Sequence, residues 1–390
     1  MKSGILYITV TLILTLSFAS SNLWADASRE IWNSGGLTTI SDYESPMIHG
    51  TALVWEAKGG LPGSTSGGND TEIFYCDLNT FNVIQITDDD DNDLLPQTDG
   101  NFVVWQKHTN GGENQIYLFD LQGQTGAKRI SPLDFCDNYT PRIANGHVVW
   151  TSQKVDRSYE AGKVMFYDAT HGKGPRTISH TRSDCSDPRI DSSRIIWLQE
   201  TSNHKLSQWI YYIGKRHPGP RPAPRHLKFN RSNSSDGTQA VMVRRDGHDG
   251  EIFVYSRANG FSQITDNEAE DHSPVISRNR IAWLGNGIIH VADITDMMRV
   301  SGLKTYRRHK TDIIVCWDKL CTGDVEYHID LSTTPDFSVY HNGIKDKSVG
   351  DVLRYRIKGL KPRTTYYIRV KAVINGSVTE NSEVLRTKTR

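Results

Sequence analysis

One tryptophan recurs along most of the chain at a nearly constant interval. Five times a proline is followed, nine positions later, by a tryptophan that ends a short apolar run. A sixth copy lacks the proline and has Val243 in the tryptophan position, and the average spacing is about 46 residues. Self-similarity at this period is typical of repeat folds. The five pairs are Pro46 with Trp55, Pro96 with Trp105, Pro141 with Trp150, Pro188 with Trp197, and Pro274 with Trp283.

Each repeat contains short β-type segments and no helical periodicity. After the tryptophan come a polar turn, a second apolar segment such as IFYCDL or IYLFDL, and a third such as ITD. A unit of this length with about four short strands is one blade of a β-propeller. A blade buries its two faces only against neighbouring blades, so we expect six blades to close into a ring. The segment at 37–42 (LTTISD) is predicted to supply the last strand of the sixth blade.

These motifs resemble a known family. The pattern D-x-x-P-x-I-x-G-x-x-V-V-W, then I-Y-x-x-D-L, then I-T-D is similar to the TolB-like six-bladed propellers of exported bacterial proteins. The resemblance covers about 28–298 and implies an interaction scaffold. The fifth blade departs from it, because it has neither the proline nor the tryptophan.

Composition changes near residue 299. Residues 299–390 carry a net charge of +8 within a chain whose formal net charge is zero, which indicates a separate module. Its segments alternate in the manner of a small β-sandwich. Trp317, Tyr327 and the run from Leu360 through Pro362 to Tyr366 resemble a fibronectin type III domain, which implies that Tyr366 forms the tyrosine corner. The predicted fold class is therefore all-β, a six-bladed propeller followed by a fibronectin type III sandwich.

The amino-terminal segment has the pattern of a secretory signal. Lys2 precedes an apolar run at 5–18, and the small residues Ala25 and Ala27 flank Asp26. We expect residues 1–27 to be cleaved, which leaves no stable membrane span and places the protein in the periplasm, the cell envelope or the medium. The alternative is an uncleaved anchor, although the run is short for a membrane span.

An exported chain can keep disulfides, and five cysteines are present. An odd number leaves at least one thiol without an intramolecular partner. Two pairings are candidates, Cys136 with Cys185 and Cys316 with Cys321, and the alternative is that these residues and Cys76 are small buried side chains.

Acidic residues precede each predicted inner strand. On a propeller these loops surround one mouth of the central channel, where a ring of carboxylates would attract cations or basic ligands. Asp89, Asp91 and Asp93 alternate along the chain and are a candidate Ca²⁺ site, and no other cofactor is expected. The alternative is that aspartates serve turn geometry. The predicted binding ring consists of Glu44, Asp93, Asp137, Asp187, Asp236 and Asp271.

The sequence holds no metalloprotease, phosphate-loop or dinucleotide motif. We therefore predict a non-enzymatic binding or scaffold protein whose loop face binds a protein or polysaccharide, with the sandwich as a spacer or second contact. The zero net charge gives no reason to expect nucleic-acid binding. One alternative is a carbohydrate-active lyase or glycosidase using carboxylates at the channel mouth. Another is a cell-envelope complex component.

Overall fold

The computed structural model describes residues 29–33, 46–61, 70–123, 126–133, 135–155, 161–179, 183–191, 193–201, 203–214, 219–224, 239–245, 248–256, 260–295, 298–320, 325–374 and 377–390. Strands dominate these residues, and no α-helix occurs among them. Accordingly, no helix in this part of the chain is long and apolar enough to cross a bilayer. The chain divides into two compact units, one built mainly from 30–232 and the other from 233–286 with 290–390. The predicted signal segment, Glu44, Asp236 and Cys321 lie outside the described residues.

The first unit contains four antiparallel sheets of four strands each, and within each sheet the strands follow chain order. The first sheet contains β2 (Met47–His49), β3 (Ala52–Lys58), β4 (Thr71–Asp77) and β5 (Asn82–Gln85), and the second contains β6 (Asn92–Thr98), β7 (Phe102–His108), β8 (Asn114–Asp120) and β9 (Lys128–Arg129). The third contains β10 (Cys136–Ala144), β11 (His147–Lys154), β12 (Lys163–Asp168) and β13 (Lys173–Thr177). The fourth contains β14 (Cys185–Ile190), β15 (Arg194–Glu200), β16 (Leu206–Tyr212) and β17 (Arg221–Pro222).

Two further sheets continue the series. The fifth sheet has three described strands, β18 (Gln239–Arg245), β19 (Gly250–Ser256) and β20 (Gly260–Gln263). The sixth contains β21 (Asp271–Ser277), β22 (Arg280–Gly285) and β23 (Ile288–Asp293), and β1 (Arg29–Asn33) completes it on the outside. The amino-terminal part of the chain therefore supplies the outer strand, as predicted, but with residues 29–33. The segment proposed for it, 37–42, lies outside the described residues. Closure of the six sheets into a ring stays a prediction.

The repeated tryptophan lies on the second strand of its sheet and is fully buried. Trp55, Trp105, Trp150, Trp197 and Trp283 are at most 2% exposed. Several of these indoles stack on the ring opposite them on the third strand. The Trp55 and Phe74 centroids are 5.7 Å apart and those of Trp105 and Tyr117 are 6.0 Å apart. Such pairs stabilise by about 1 kcal/mol beyond area burial.

The fifth sheet corrects one assignment. Trp55 lies opposite Phe74, and the residue opposite the equivalent Phe253 is Met242. Val243 was predicted to occupy the tryptophan position, but its side chain is 38% exposed. A shift of one residue along a strand moves a side chain to the other face. Met242 therefore takes the tryptophan position in the register, where it is half-buried, and the buried core residue of this strand is Val241.

The sandwich belongs to the second unit. β24 (Lys304–Arg308), β25 (Asp312–Cys316) and β28 (Arg354–Lys358) form one sheet. β26 (Glu326–Ser332), β27 (Lys347–Gly350), β29 (Thr365–Ile374), β30 (Ser377–Val378) and β31 (Leu385–Lys388) form the other. The hydroxyl of buried Tyr366 accepts a hydrogen bond from the Lys361 backbone N–H at 2.9 Å. This is the tyrosine-corner arrangement that the resemblance implied.

The sandwich core is continuous with the last two sheets. Ile294, Met298 and Val300 belong to one buried cluster that also contains Trp283 of the sixth sheet and Tyr327 of the sandwich. Apolar contact of this kind resists movement between the packed parts. The sandwich is therefore packed on the fifth and sixth sheets rather than joined to them by a solvated linker.

The predicted pairing of Cys136 with Cys185 is wrong. No disulfide joins Cys136 to Cys185, and Cys76 and Cys316 are not in a disulfide either. The reason is a difference in position within the repeat, since Cys136 precedes its tryptophan by fourteen residues and Cys185 by twelve. Three of the four, Cys76, Cys136 and Cys185, are buried.

Candidate binding face

The loops that precede the inner strands lie at one end of each sheet, which we call the entry end. Because neighbouring strands are antiparallel, the loop between the second and third strands lies at the same end. The described members of the predicted acidic ring, Asp93, Asp137, Asp187 and Asp271, all lie near this end. The surroundings of each side chain decide what it can bind.

A β-bulge interrupts four inner strands at the same repeat position. The residue before the repeated proline has φ near +50° in each case, and the pairing register shifts there. Proline cannot donate a ladder hydrogen bond, so a bulge is one of the few places where a sheet accepts it. The proline that marks the repeat in the sequence therefore marks a bend in the inner strand. The bulged residues are Leu95, Thr140, Asp187 and Ser273.

A second repeat position links neighbouring sheets. Thirteen residues before the tryptophan, a side-chain oxygen accepts a hydrogen bond from the backbone N–H that starts the third strand of the preceding sheet. These bonds satisfy N–H groups at strand ends, where the ladder provides no partner. The pairs are Asn92 with Thr71 (3.1 Å), Asp137 with Asn114 (2.8 Å), Asp184 with Gly162 (2.7 Å) and Glu270 with Gly250 (3.1 Å).

The next position accepts the hydrogen bond of the buried indole. Asp93 accepts from Trp105 Nε1 at 2.6 Å, and Asp271 accepts from Trp283 Nε1 at 3.1 Å. Asn138 does the same for Trp150 at 2.8 Å. Asp93 is 0% exposed and Asp271 is 2% exposed. The geometry gives these two members of the predicted ring a structural role, since side chains so buried do not reach a ligand.

The residue two positions after the tryptophan lies beside this acceptor and differs with it. Lys107 Nζ lies 3.1 Å from the Asp93 carboxylate, whereas neutral Asn138 is accompanied by Ser152 at the corresponding position. In the sixth sheet the position is Gly285, where a Cβ atom would lie 2.2 Å from Asp271 Oδ1. Only glycine leaves room for the Asp271 carboxylate at this place.

The candidate Ca²⁺ residues do converge, but on an ammonium group. Lys107 Nζ lies 2.6 Å from Asp89, 3.7 Å from Asp91 and 3.1 Å from Asp93. The lysine side chain is only 8% exposed, so it already occupies the centre of the three carboxylates. No group of three His, Cys, Asp or Glu residues suited to a metal ion is present in the described part of the chain. Ca²⁺ binding here would require displacement of Lys107.

Burial perturbs the acids of this cluster. Burial raises the pKa of Asp93 to about 6, against the opposing effect of the Lys107 charge. Burial likewise raises the pKa of Glu72 to about 8, and repulsion from Asp93 adds to the shift. Glu72 is 0% exposed, and its Oε1 accepts from the Asp89 backbone N–H at 3.0 Å. The equivalent residue in the next sheet is the neutral Gln115, which fits a protonated Glu72.

The remaining described members of the ring are tied to protein groups. Besides the Asn114 backbone N–H, the same Asp137 oxygen accepts from Asn114 Nδ2 at 2.8 Å. Asp187 is 34% exposed and forms an ion pair with Arg189 at 2.9 Å. A ligand-binding role for Asp137 and Asp187 stays a prediction.

An exposed apolar feature that the repeat pattern did not predict lies at the entry end. Leu133 is 92% exposed and Phe135 is 81% exposed, in the loop that enters β10. Val155, 53% exposed, follows β11 and donates its backbone N–H to the Phe135 carbonyl at 3.1 Å. We call these three residues the apolar loop patch. Its signal in the sequence was two large apolar residues inside a loop that starts with Pro132.

The architecture is a series of propeller-type sheets followed by a fibronectin-like sandwich. Solved structures give matches to both parts. The β-propeller domain of the Trilobed protease from Pyrococcus furiosus is 12% identical over 72% of this chain and 90% of its own, with a TM-score of 0.35.

The sixth fibronectin type III domain of human fibronectin type III domain containing protein 3 is 31% identical, over 23% of this chain and 83% of its own, with a TM-score of 0.20. The FN5 domain of Drosophila Lar is 23% identical, over 24% of this chain and 95% of its own, with a TM-score of 0.20. No protein-family model matches the chain, and no curated protein has a detectably similar sequence.

Proposed function

We propose that this protein is an exported, non-enzymatic binding scaffold that holds a protein partner at the entry end of its sheets. In this proposal the six sheets form a closed, TolB-like six-bladed propeller, and the sandwich packed on the last sheets is a second contact. Residues 1–27 support export, because they have the signal pattern.

The apolar loop patch is the observation that carries the proposal. When a partner removes large, mostly exposed apolar side chains from water, the burial of their surface stabilises the complex. The loop is anchored, since the Val155 N–H and the Phe135 carbonyl are hydrogen bonded. An anchored apolar tip loses little conformational entropy on binding.

The buried acids of this end do not favour a catalytic role. A raised carboxyl pKa is also typical of catalytic acids, and Glu72 and Asp93 have one. A catalytic acid must reach its substrate. Both residues are 0% exposed, and their surroundings supply a backbone N–H, an indole and an ammonium group as partners.

Capture experiments with matched variants test the proposal. The full-length protein is used to capture partners from envelope extract and culture fluid, beside Phe135→Ser and the control Phe261→Ser. Phe261 is 53% exposed in the fifth sheet, so the control removes an exposed phenylalanine elsewhere. We expect one protein to be recovered at least tenfold less with Phe135→Ser and unchanged with Phe261→Ser.

Two results would contradict the proposed contact. One is equal recovery of every protein by wild type and Phe135→Ser. The other is a loss seen only with Asp137→Asn/Asp187→Asn, which would assign the contact to the predicted acidic ring instead. Asparagine is suited to this arm because Asn92 occupies the position of Asp137 in another sheet, so the inter-sheet hydrogen bond is retained.

A further inference from the structure

A groove on the sandwich collects basic side chains. It has a volume of about 800 Å³ and runs between β24 and β31, which belong to different sheets. Arg307 and Arg308 line one side, and Arg386, Lys388 and Arg390 line the other. No aspartate or glutamate is among the described residues that line it. We call this feature the basic groove.

The cations of the basic groove differ from other basic residues of the sandwich. Arg356 is paired with Asp312 at 3.0 Å, and Arg369 is paired with Asp330 at 2.7 Å. Among the described residues, Arg307 and Lys388 form no ion pair with a carboxylate. The positive charge at these two positions of the groove is therefore not compensated by a described carboxylate, and the neighbouring cations of the lining add to the local potential.

A β-bulge and hydrogen bonds between the strands shape the groove. A β-bulge between Thr305 and Arg307 interrupts the pairing of β24 with β25. The hydroxyls of Thr305 and Thr387 join the two strands across its floor at 2.9 Å, and the Arg390 N–H bonds the His309 carbonyl at 3.0 Å. The cations are thus carried by two tied strands, so binding would order little besides side chains.

We propose that the basic groove binds an acidic polysaccharide, in which carboxylate or sulfate groups meet the cations of β24 and β31. A five-residue strand spans about 17 Å, so an extended segment of several sugar units fits along it. This contact is independent of the proposed protein partner, since it uses the sandwich and none of the residues of the entry end.

The groove favours a polysaccharide over other polyanions. Single-stranded nucleic acids are held by bases stacked on aromatic side chains. Tyr306 is the aromatic residue that lines the groove, and the Arg354 guanidinium lies 3.8 Å from the centroid of its ring. Interfacial membrane contact uses exposed apolar side chains beside basic ones, and apart from Tyr306 the described lining is basic or polar.

Binding measurements with defined polymers test the proposal. The full-length protein is titrated with dextran sulfate, with the uronate polymer alginate, and with neutral dextran of similar length. The groove variant is Arg307→Gln/Arg308→Gln/Lys388→Gln. The control Lys319→Gln/Lys345→Gln/Lys347→Gln removes the same charge from exposed positions of the sandwich away from the groove.

We expect binding to one or both acidic polymers and none to neutral dextran, with the sulfate and uronate arms identifying the acidic group. The groove variant should bind at least tenfold more weakly and the control less than twofold. Each contact between a cation and a flexible polyanion releases about 0.7 counterions. Removal of three cations should therefore make the slope of the logarithm of the binding constant against the logarithm of the salt concentration less negative by roughly 2.

Three results would overturn the inference. One is equal weakening by both triple variants, which means that net charge alone is responsible. Another is tighter binding to oligo(dT) or to vesicles of anionic lipid than to either polysaccharide. The third is no binding to either acidic polymer at low salt. Unchanged thermal unfolding of the variants separates loss of binding from loss of fold.

Discussion

At the scale of single residues, the buried tryptophans differ in the residue that lies beside their indole N–H. Each buried indole N–H needs an acceptor, because an unmade buried hydrogen bond costs about 1–3 kcal/mol. Asp93, Asn138 and Asp271 supply it for three tryptophans. Trp197 has Cys185 at that position, and within the described residues its Nε1 has no hydrogen-bond partner. The charge that some acceptors bring then has to be balanced nearby.

Removal of Lys107 should be strongly destabilising. Lys107→Ser leaves the Asp93 carboxylate buried without its cation, which we expect to lower the free energy of unfolding by about 3–5 kcal/mol. Asp93→Asn/Lys107→Ser reproduces the Asn138 and Ser152 combination of the next sheet and should recover most of this loss. Urea unfolding at pH 7 measures both. A double variant no more stable than the single one would contradict the charge-matching interpretation.

Glu72 should make stability fall as pH rises. Its pKa is raised from 4.5 to about 8 in the fold, so the folded protein holds a proton that the unfolded chain releases above about pH 4.5. Stability from this proton is complete below pH 4.5 and is lost as pH rises through 8. Asp93, with a pKa of about 6, has the same sign over a lower range. Between pH 6 and 8 the loss of stability from Glu72 therefore continues after that from Asp93 is largely complete.

Glu72→Gln should raise the urea midpoint at pH 8.5 and leave it nearly unchanged at pH 5. Glutamine suits the position, because Gln115 occupies it in the second sheet. Glu251, which occupies it in the fifth sheet and also has a raised pKa, offers a matched second site. An equal gain at both pH values would mean that protonation of Glu72 is not the cause.

At the scale of the element, the inner strand is shaped by its bulge. A residue other than glycine pays about 1–2 kcal/mol for left-handed backbone, and a β-branched one is an outlier there. Thr140 has φ of 54°, and its buried hydroxyl has no hydrogen-bond partner among the described residues. The inner strand therefore accepts local strain in order to place the repeated proline.

Thr140→Gly should stabilise the protein. Relief of the left-handed penalty exceeds the added entropy of the unfolded chain, so we expect a gain of about 0.5–1 kcal/mol. The Thr140 backbone N–H keeps its bond to Gln106 Oε1 at 3.2 Å. Thr177→Gly, in β13, has no left-handed backbone to relieve and should lose stability. Thermal unfolding measures the stability of both variants. If both are less stable than the wild type, Thr140 does not strain the inner strand.

At the scale of the whole molecule, the outer strand of the sixth sheet comes from the start of the chain. β1 pairs with β23, so the last sheet is completed by residues far away in sequence. Without β1, the outer edge of β23 would present unpaired N–H and C=O groups, which promote association between molecules.

A chain beginning at residue 34 should therefore be less stable than one beginning at residue 28. We expect a lower thermal midpoint and concentration-dependent association in light scattering for the shorter chain. The chain beginning at residue 28 is the control, because it keeps β1 intact after the predicted signal cleavage. Equal midpoints and monodisperse behaviour of both chains would mean that β1 is dispensable.

Much of the architecture was predictable from the sequence because it is periodic. The recurrence of tryptophan, proline and short apolar segments identified the strands and the sheets, and the Tyr366 motif identified the sandwich. Asp77 and Asp120 end third strands, and each accepts a hydrogen bond from the backbone N–H two residues later, as is typical of aspartate in turns. Prediction failed where a shift of one residue decides the face, as at Met242 and Val243.

The sequence by itself determined which segments become strands and how often the unit repeats, because propensity and periodicity are local properties of the chain. Only the tertiary structure decided the partners of the acids. Asp93 meets an indole and an ammonium group twelve and fourteen residues away on the next strand. Asp137 meets the backbone of a neighbouring sheet. Burial and hydrogen bonding depend on what packing brings alongside a residue, and residue type alone does not specify that.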